Sequence, residues 1–175
     1  LVFEPSNADY SLSLWLQFDR SIYEGGRIIQ KWFAITSGSN YPFSLQGVEK
    51  GITFNILGEK TDQVYLDFPS DAWYHIVYNV NGKDNDTAYV WVNGELAAKH
   101  KINVSGLLNN DAVIQIGGDH MSRGFEGKID DIRIYNRLLD PGEIRELWME
   151  NRCMETVYDT IQVYDTLRTE VFDTT

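Results

Sequence analysis

The sequence predicts an all-β fold, a two-sheet antiparallel sandwich with one short helix towards the C-terminus. Segments of alternating apolar and polar residues recur along the chain, the pattern of strands with one buried face. Turn residues that tolerate positive φ separate them, at Glu24-Gly25-Gly26, at 81–86, at Asn93-Gly94 and at Ile116-Gly117-Gly118. The intervening helical patterns that βαβ units need are missing, which leaves a sandwich or barrel architecture.

The expected strands follow in order. Tyr10–Phe18 alternates strictly. Segment 27–33 leaves the Gly25-Gly26 turn, and 43–46, 51–57 and 63–68 follow with short polar breaks. Segment 73–80 opens on Trp73 and ends before the Asn81-Gly82 turn. Thr87–Val92 and Glu95–Lys101 flank Asn93-Gly94, the strongest hairpin signal in the chain, because a tight primed turn needs positive φ at both central residues. Segments 112–116 and Gly127–Tyr135 complete the set. The helix begins after Asp140, an N-cap residue, with Pro141 at the first helical position and Glu143 where a capping box reaches back. Ile144, Leu147 and Trp148 fall at helical spacing and should dock one face on the sandwich. For Trp148 packing is the plain role and a ligand platform the alternative.

The chain divides into a sandwich over 1–152 and a tail over 153–175. Val157-Tyr158-Asp159-Thr160, Val163-Tyr164-Asp165-Thr166 and Val171-Phe172-Asp173-Thr174 repeat in the tail. Their even intervals preserve strand parity, so the valines share one face. An ordinary Thr-rich linker is one reading. The other is a strand added to an open sheet edge, in the same molecule or a neighbour.

A chain of 175 residues with 43% hydrophobic content can bury a sizeable core. No apolar run is long enough to span a bilayer, so membrane insertion is not expected. A net charge of −11 disfavours nucleic acid, whose phosphates call for a basic surface. Cys153 is the only cysteine, so no internal disulfide can form.

Several segments together resemble laminin-G-like domains, the concanavalin A-like jelly rolls. Gly124-Phe125-Glu126-Gly127-Lys128-Ile129-Asp130-Asp131-Ile132-Arg133-Ile134-Tyr135-Asn136-Arg137 is similar to their closing strand. Leu12-Ser13-Leu14-Trp15-Leu16, Trp73-Tyr74-His75-Ile76-Val77 and Tyr89-Val90-Trp91-Val92-Asn93-Gly94-Glu95 resemble earlier family strands, in family order, and 140–148 the helix that follows. The resemblance covers roughly residues 10–150. It implies a binding module of an exported, surface-associated protein, and the chain is expected to be an excised piece of something larger. The repeated tail resembles linkers that precede the sorting domain of proteins exported by the type IX route of Bacteroidetes, which implies an extracellular or cell-surface location.

The resemblance also implies a structural calcium ion at Asp130, a hard-oxygen ligand of the kind this cation prefers. By strand parity Asp130 falls with Ile132 and Ile134 and should point to the core, where an unpaired carboxylate is costly. Glu4 is a candidate second ligand. The alternative is an Asp130 satisfied by backbone N–H groups or Arg133, with Asp131 as a solvent-facing partner for a basic side chain. Asp84-Asn85-Asp86 lacks the Gly and distant Glu of a twelve-residue calcium loop and reads as a turn.

Trp15 and Trp73 should be buried, and His75 structural. Trp91 alternates with Val90 and Val92, so it faces the other way and is a candidate for a concave or exposed binding face. Trp32, Tyr41 and Phe43 flank the polar stretch Thr36-Ser37-Gly38-Ser39-Asn40, a combination suited to stacking on a sugar. His100 and His120 lack the spacing of a metal pair. No Glu is followed by Asp at two residues and Glu at four or five, the acid pattern of laminarinase-type glucanases on this fold. Nor is there a nucleophile elbow, a zincin pair or a phosphate loop. The sequence therefore predicts a non-catalytic module that binds a glycan or a protein ligand. A structural spacer or adhesin segment, and an accessory module of a larger glycoside hydrolase, are the alternatives.

Overall fold

The computed structural model describes residues 9–18, 26–35, 38–48, 51–56, 59–60, 64–65, 72–82, 87–101, 113–118 and 124–150, without the side chains of 32–42, 48, 55–56, 59–60 and 64–65. Among these residues, eleven strands and one helix run in the order β1 (Tyr10–Phe18), β2 (Arg27–Ile35), β3 (Gly38–Val48), β4 (Gly51–Ile56), β5 (Glu59–Lys60), β6 (Val64–Tyr65), β7 (Trp73–Asn81), β8 (Thr87–Val92), β9 (Glu95–Lys101), β10 (Ile114–Ile116), β11 (Gly127–Tyr135) and α1 (Pro141–Glu150). They form two antiparallel sheets, β11-β1-β7-β8-β9 and β10-β2-β3-β4-β5, with β6 also paired to β4. The expected two-sheet sandwich is what the chain forms.

Two expectations about strand extent change. Gly38-Ser39-Asn40 is not loop but the start of β3, which pairs with β2 as far as Ile35↔Gly38. Of the expected strand at 63–68, the described residues retain only Val64–Tyr65. The tail, residues 153–175, lies outside the described residues, as do Glu4, 83–86 and His120.

Period-2 alternation sends Leu12, Leu14, Leu16 and Phe18 of β1 inwards, where they meet Ile76, Tyr78 and Val80 of β7, and Phe43, Leu45, Ile52 and Phe54 of the facing sheet. Phe54 stacks on Tyr78 with ring centroids 4.1 Å apart, and Phe43 lies 6.3 Å from Phe54. Phe43 is 1% exposed, so this aromatic belongs to the core and not to a ligand surface. Gly38-Ser39-Asn40 of the polar stretch beside it is strand, and register points Phe43 inwards.

The outer face of the five-stranded sheet is partly roofed by α1. Val77, Leu139 and Ile144 form a second apolar cluster, joined by Trp91, Tyr135 and Leu147. Buried polar groups fix the approach to the helix. Asn79 Nδ2 donates to the Leu139 carbonyl (2.7 Å), and the Leu139 N–H donates to Ser11 Oγ (3.1 Å). The Ser11 hydroxyl sits 2.7 Å from both Asn79 Oδ1 and the Arg137 carbonyl, with one proton to give.

The capping box forms as expected. Asp140 Oδ1 accepts from the N–H groups of Gly142 (2.7 Å) and Glu143 (3.0 Å), and Glu143 Oε2 accepts from the Asp140 N–H (2.9 Å). Arg137 grips Glu143 with both terminal guanidinium nitrogens, and that contact, followed by the Asp140 N–H, lowers the Glu143 carboxyl to about 2. Asp140→Ala should cost about 1 kcal/mol in urea unfolding. An unchanged midpoint would show that docking alone holds α1.

Asn93 (φ 51) and Gly94 (φ 79) make the tight hairpin turn. A Cβ on Gly94 would lie 2.9 Å from Trp148 Cε3, which places the Trp148 ring on the turn as a packing group.

Candidate functional site

The most informative departure from the sequence reading is in β11. Trp15 pairs with Asp130 and Ser13 with Arg133, so the one residue between them on β1, Leu14, stands opposite two on β11, Asp131 and Ile132. The extra residue is a β-bulge, and Asp131 sits there with φ 46. Asp tolerates the left-handed region better than most residues, because its short side chain bonds locally. The bulge reverses parity, so Ile129, Ile132 and Ile134 all pack on the core while Asp130 is exposed on the outer face.

Asp130 therefore does not point into the core, and the burial argument for a structural calcium there is removed. Its Oδ1 accepts from the Asp131 N–H at 2.8 Å. Asp131 pairs with Arg133 at 2.8 Å, as the partner for a basic side chain that the sequence suggests. Among the described residues no three carboxylate, His or Cys groups converge in a way that could hold a metal. With Asp131 paired to a guanidinium, the described residues alone assemble no metal centre, and Glu4 lies outside them.

They fit a pocket instead. Trp15, Trp73, Asp130, Asp131 and Arg133 line a surface hollow of about 450 Å³ on the outer face of β11, β1 and β7. Trp15 is 9% exposed, as expected, and packs on His75 with ring centroids 5.2 Å apart. Trp73 corrects an expectation of burial, since 39% of it is exposed. It pairs with Gln17 at the start of β7 and shares parity with His75, not with the core residues Ile76 and Tyr78. Trp15 Nε1 is buried with no hydrogen-bond partner among the described residues.

Beneath Trp15, His75 Nε2 and Ser13 Oγ share a hydrogen bond of 2.9 Å. The His75 main-chain N–H donates to Asn93 Oδ1 (2.9 Å), which ties the pocket floor to the hairpin turn. Burial lowers the imidazole to about 4, with a smaller upward pull from Asp131 and a downward push from Arg133. At neutral pH the ring is uncharged and structural, as the sequence suggests.

Arg133 closes the helix side of the hollow. Its Nη1 donates to Glu150 Oε2 at 2.7 Å and its Nε to Asp131 Oδ1, and these bonds, Glu150 first, hold the guanidinium firmly protonated. One cation thus anchors the end of α1 to the bulge of β11.

The aromatic candidates named from sequence do not assemble into one site. Phe43 is core. Trp91 does turn to the outer face, but it packs with Val77, Leu139 and Ile144 beside the helix, which partly covers it. Trp32 lies in β2 and Tyr41 in β3, and their side chains lie outside the described ones. Trp73, Trp15 and Arg133 are the pocket residues the sequence reading missed.

The family described as the concanavalin A-like lectin/glucanases superfamily, laminin G type, matches residues 2–145. No curated protein sequence matches. Among solved structures, the sialidase of Trypanosoma rangeli, in complex with a difluoro-KDN, is 18% identical with a TM-score of 0.65, over 83% of this chain and 23% of its own. A putative carbohydrate binding protein from Bacteroides ovatus is 16% identical with a TM-score of 0.62, over 79% of this chain and 40% of its own. Domain 4 of AbnA, a GH43 extracellular arabinanase from Geobacillus stearothermophilus, in complex with arabinotriose, is 20% identical with a TM-score of 0.57, over 81% of this chain and 66% of its own. The chain spans only about a quarter of the sialidase and less than two thirds of the other two. At these identities the likeness is one of fold.

Proposed function

This chain belongs to the concanavalin A-like lectin/glucanases superfamily, and from that premise we propose that it is a glycan-binding module of an exported protein, without catalytic activity of its own. The observation that carries the reading is the hollow lined by Trp15, Trp73, Asp130, Asp131 and Arg133. A half-exposed indole offers a flat apolar surface to the C–H face of a sugar ring, and the flanking carboxylates accept its hydroxyl protons. Few convergent polar groups beside aromatic walls are the usual composition of a small-ligand site. A rigid floor helps, because Trp15, His75 and Ser13 are already packed and lose little freedom on binding. Similar folds described as a putative carbohydrate binding protein and as a domain in complex with arabinotriose support a sugar over a protein ligand.

A glycan array probed with the intact chain tests the proposal, followed by titration of the best hits. Trp73→Ala should weaken binding by at least about tenfold, since an exposed aromatic anchor is the type of residue that carries most of a contact's energy. Its exposure should leave the unfolding midpoint nearly unchanged. Full binding by a folded Trp73→Ala protein, or an array without a saturable hit, would sink the reading.

A further inference from the structure

We infer that the hollow selects neutral, hydroxyl-rich sugars and rejects acidic ones, an inference that rests on the glycan-binding reading and narrows its ligand class. Two carboxylates, of Asp130 and Asp131, line the hollow with the guanidinium of Arg133, and a third, of Glu150, pairs with that guanidinium from the helix side. Arg133 is already engaged by the protein. Its Nε is held by Asp131 and its Nη1 by Glu150, at 2.8 and 2.7 Å, so the cation is already neutralised by protein carboxylates. A side-on bidentate grip on a ligand carboxylate needs Nε, which Asp131 holds, and an end-on grip needs Nη1, which Glu150 holds, so the ligand would compete with a protein carboxylate for either.

What remains facing the ligand is Asp130. It lies on the outer face at the bulge, bonded through Oδ1 to the next N–H, which leaves the other oxygen to accept. A carboxylate oxygen pairs well with a sugar hydroxyl, which has a proton to donate. A uronate or sialate brings a negative charge to the same place, and like charges a few ångströms apart repel in proportion to their proximity. The Trp15 Nε1 donor in the wall, without a partner among the described residues, is neutral and does not compensate for that charge.

The test compares neutral gluco-, xylo-, galacto- and arabino-oligosaccharides with uronate-bearing counterparts of equal length, by tryptophan fluorescence and calorimetry on the intact chain. Neutral members should bind at least about tenfold more tightly than their acidic counterparts at low salt, about 1.4 kcal/mol. The gap should shrink as added salt screens the repulsion. Asp130→Asn keeps the shape and an acceptor oxygen but removes a charge, so it should narrow the gap chiefly by improving acidic ligands. Acidic ligands binding as well as neutral ones, with both sensitive to Trp73→Ala, would overturn the selectivity and leave the glycan site standing. A gap that Asp130→Asn and salt leave untouched would equally overturn it. If no sugar of either class binds in a Trp73-dependent way, the glycan reading itself fails and the selectivity falls with it.

Discussion

Gly127→Ala is expected to destabilise the domain by about 3 kcal/mol or more, a large effect for a single methyl group. Gly127 opens β11 with φ 154, and a Cβ there would sit inside the van der Waals envelope of the Gln17 carbonyl oxygen. It would also lie 2.8 Å from two atoms of the Phe125 ring. Neither neighbour yields cheaply. The carbonyl belongs to β1, whose Phe18 pairs with Gly127, and the Phe125 ring packs edge-on against buried Phe18 with centroids 5.6 Å apart. Moving β11 away loosens the edge strand that carries the bulge, Asp130 and Arg133. Gly117 supplies the control. It has φ 75, but no described atom lies within 4 Å of where its methyl would stand, so Gly117→Ala carries only the backbone strain, about 1 kcal/mol. Equal urea midpoints for the two variants would show that the crowding at Gly127 relaxes without cost.

How far these features are legible in the sequence varies by element. Strands such as Tyr10–Phe18, Thr87–Val92 and Gly127–Tyr135 are readable to the residue, because apolar patterning and the flanking turn residues agree on their ends. The helix start is readable for the same reason, since Asp140, Pro141 and Glu143 each have one favourable place in a capping box. The direction of Asp130 is not, because parity counting assumes an unbroken strand. Yet a signal is present: Ile129, Ile132 and Ile134 cannot share a face unless the strand gains a residue between the first two, and two adjacent aspartates are suited to supplying it. Trp73 is likewise recoverable from its even spacing to His75 and Asn79, whereas tryptophan's general preference for burial points the wrong way. Trp91 faces outwards as its alternation requires. That a helix then partly covers it depends on how 136–140 leads the chain back over the sheet, which spacing along a strand does not encode.

Acid should destabilise the domain well above the pH at which its carboxylates titrate, and His75 should be the cause. In the unfolded chain its imidazole takes up a proton near pH 6.5, whereas in the folded protein burial holds it neutral down to about 4. Between those values the unfolded state binds more protons, so stability falls as the pH falls and is recovered as it rises. A gap of this size amounts to about 3 kcal/mol once pH 4 is reached. The geometry explains the reluctance to protonate. His75 is 1% exposed under Trp15, Nε2 is taken by Ser13, and Nδ1 has no partner among the described residues to receive a second N–H. Asp131 favours the charged ring and Arg133 opposes it, but burial outweighs both. Glu143 acts in a lower window, from about 4.5 down to about 2, so urea unfolding between pH 7 and 5 isolates the histidine. His75→Gln cannot titrate there, and its stability should be flat across that interval whatever its absolute value. A wild-type slope that survives in His75→Gln would assign the acid sensitivity to another group. Because the same ring forms the floor under Trp15 and stays neutral in the folded protein down to about 4, the hollow should keep its shape across this window and be disturbed only as the pH falls to that value.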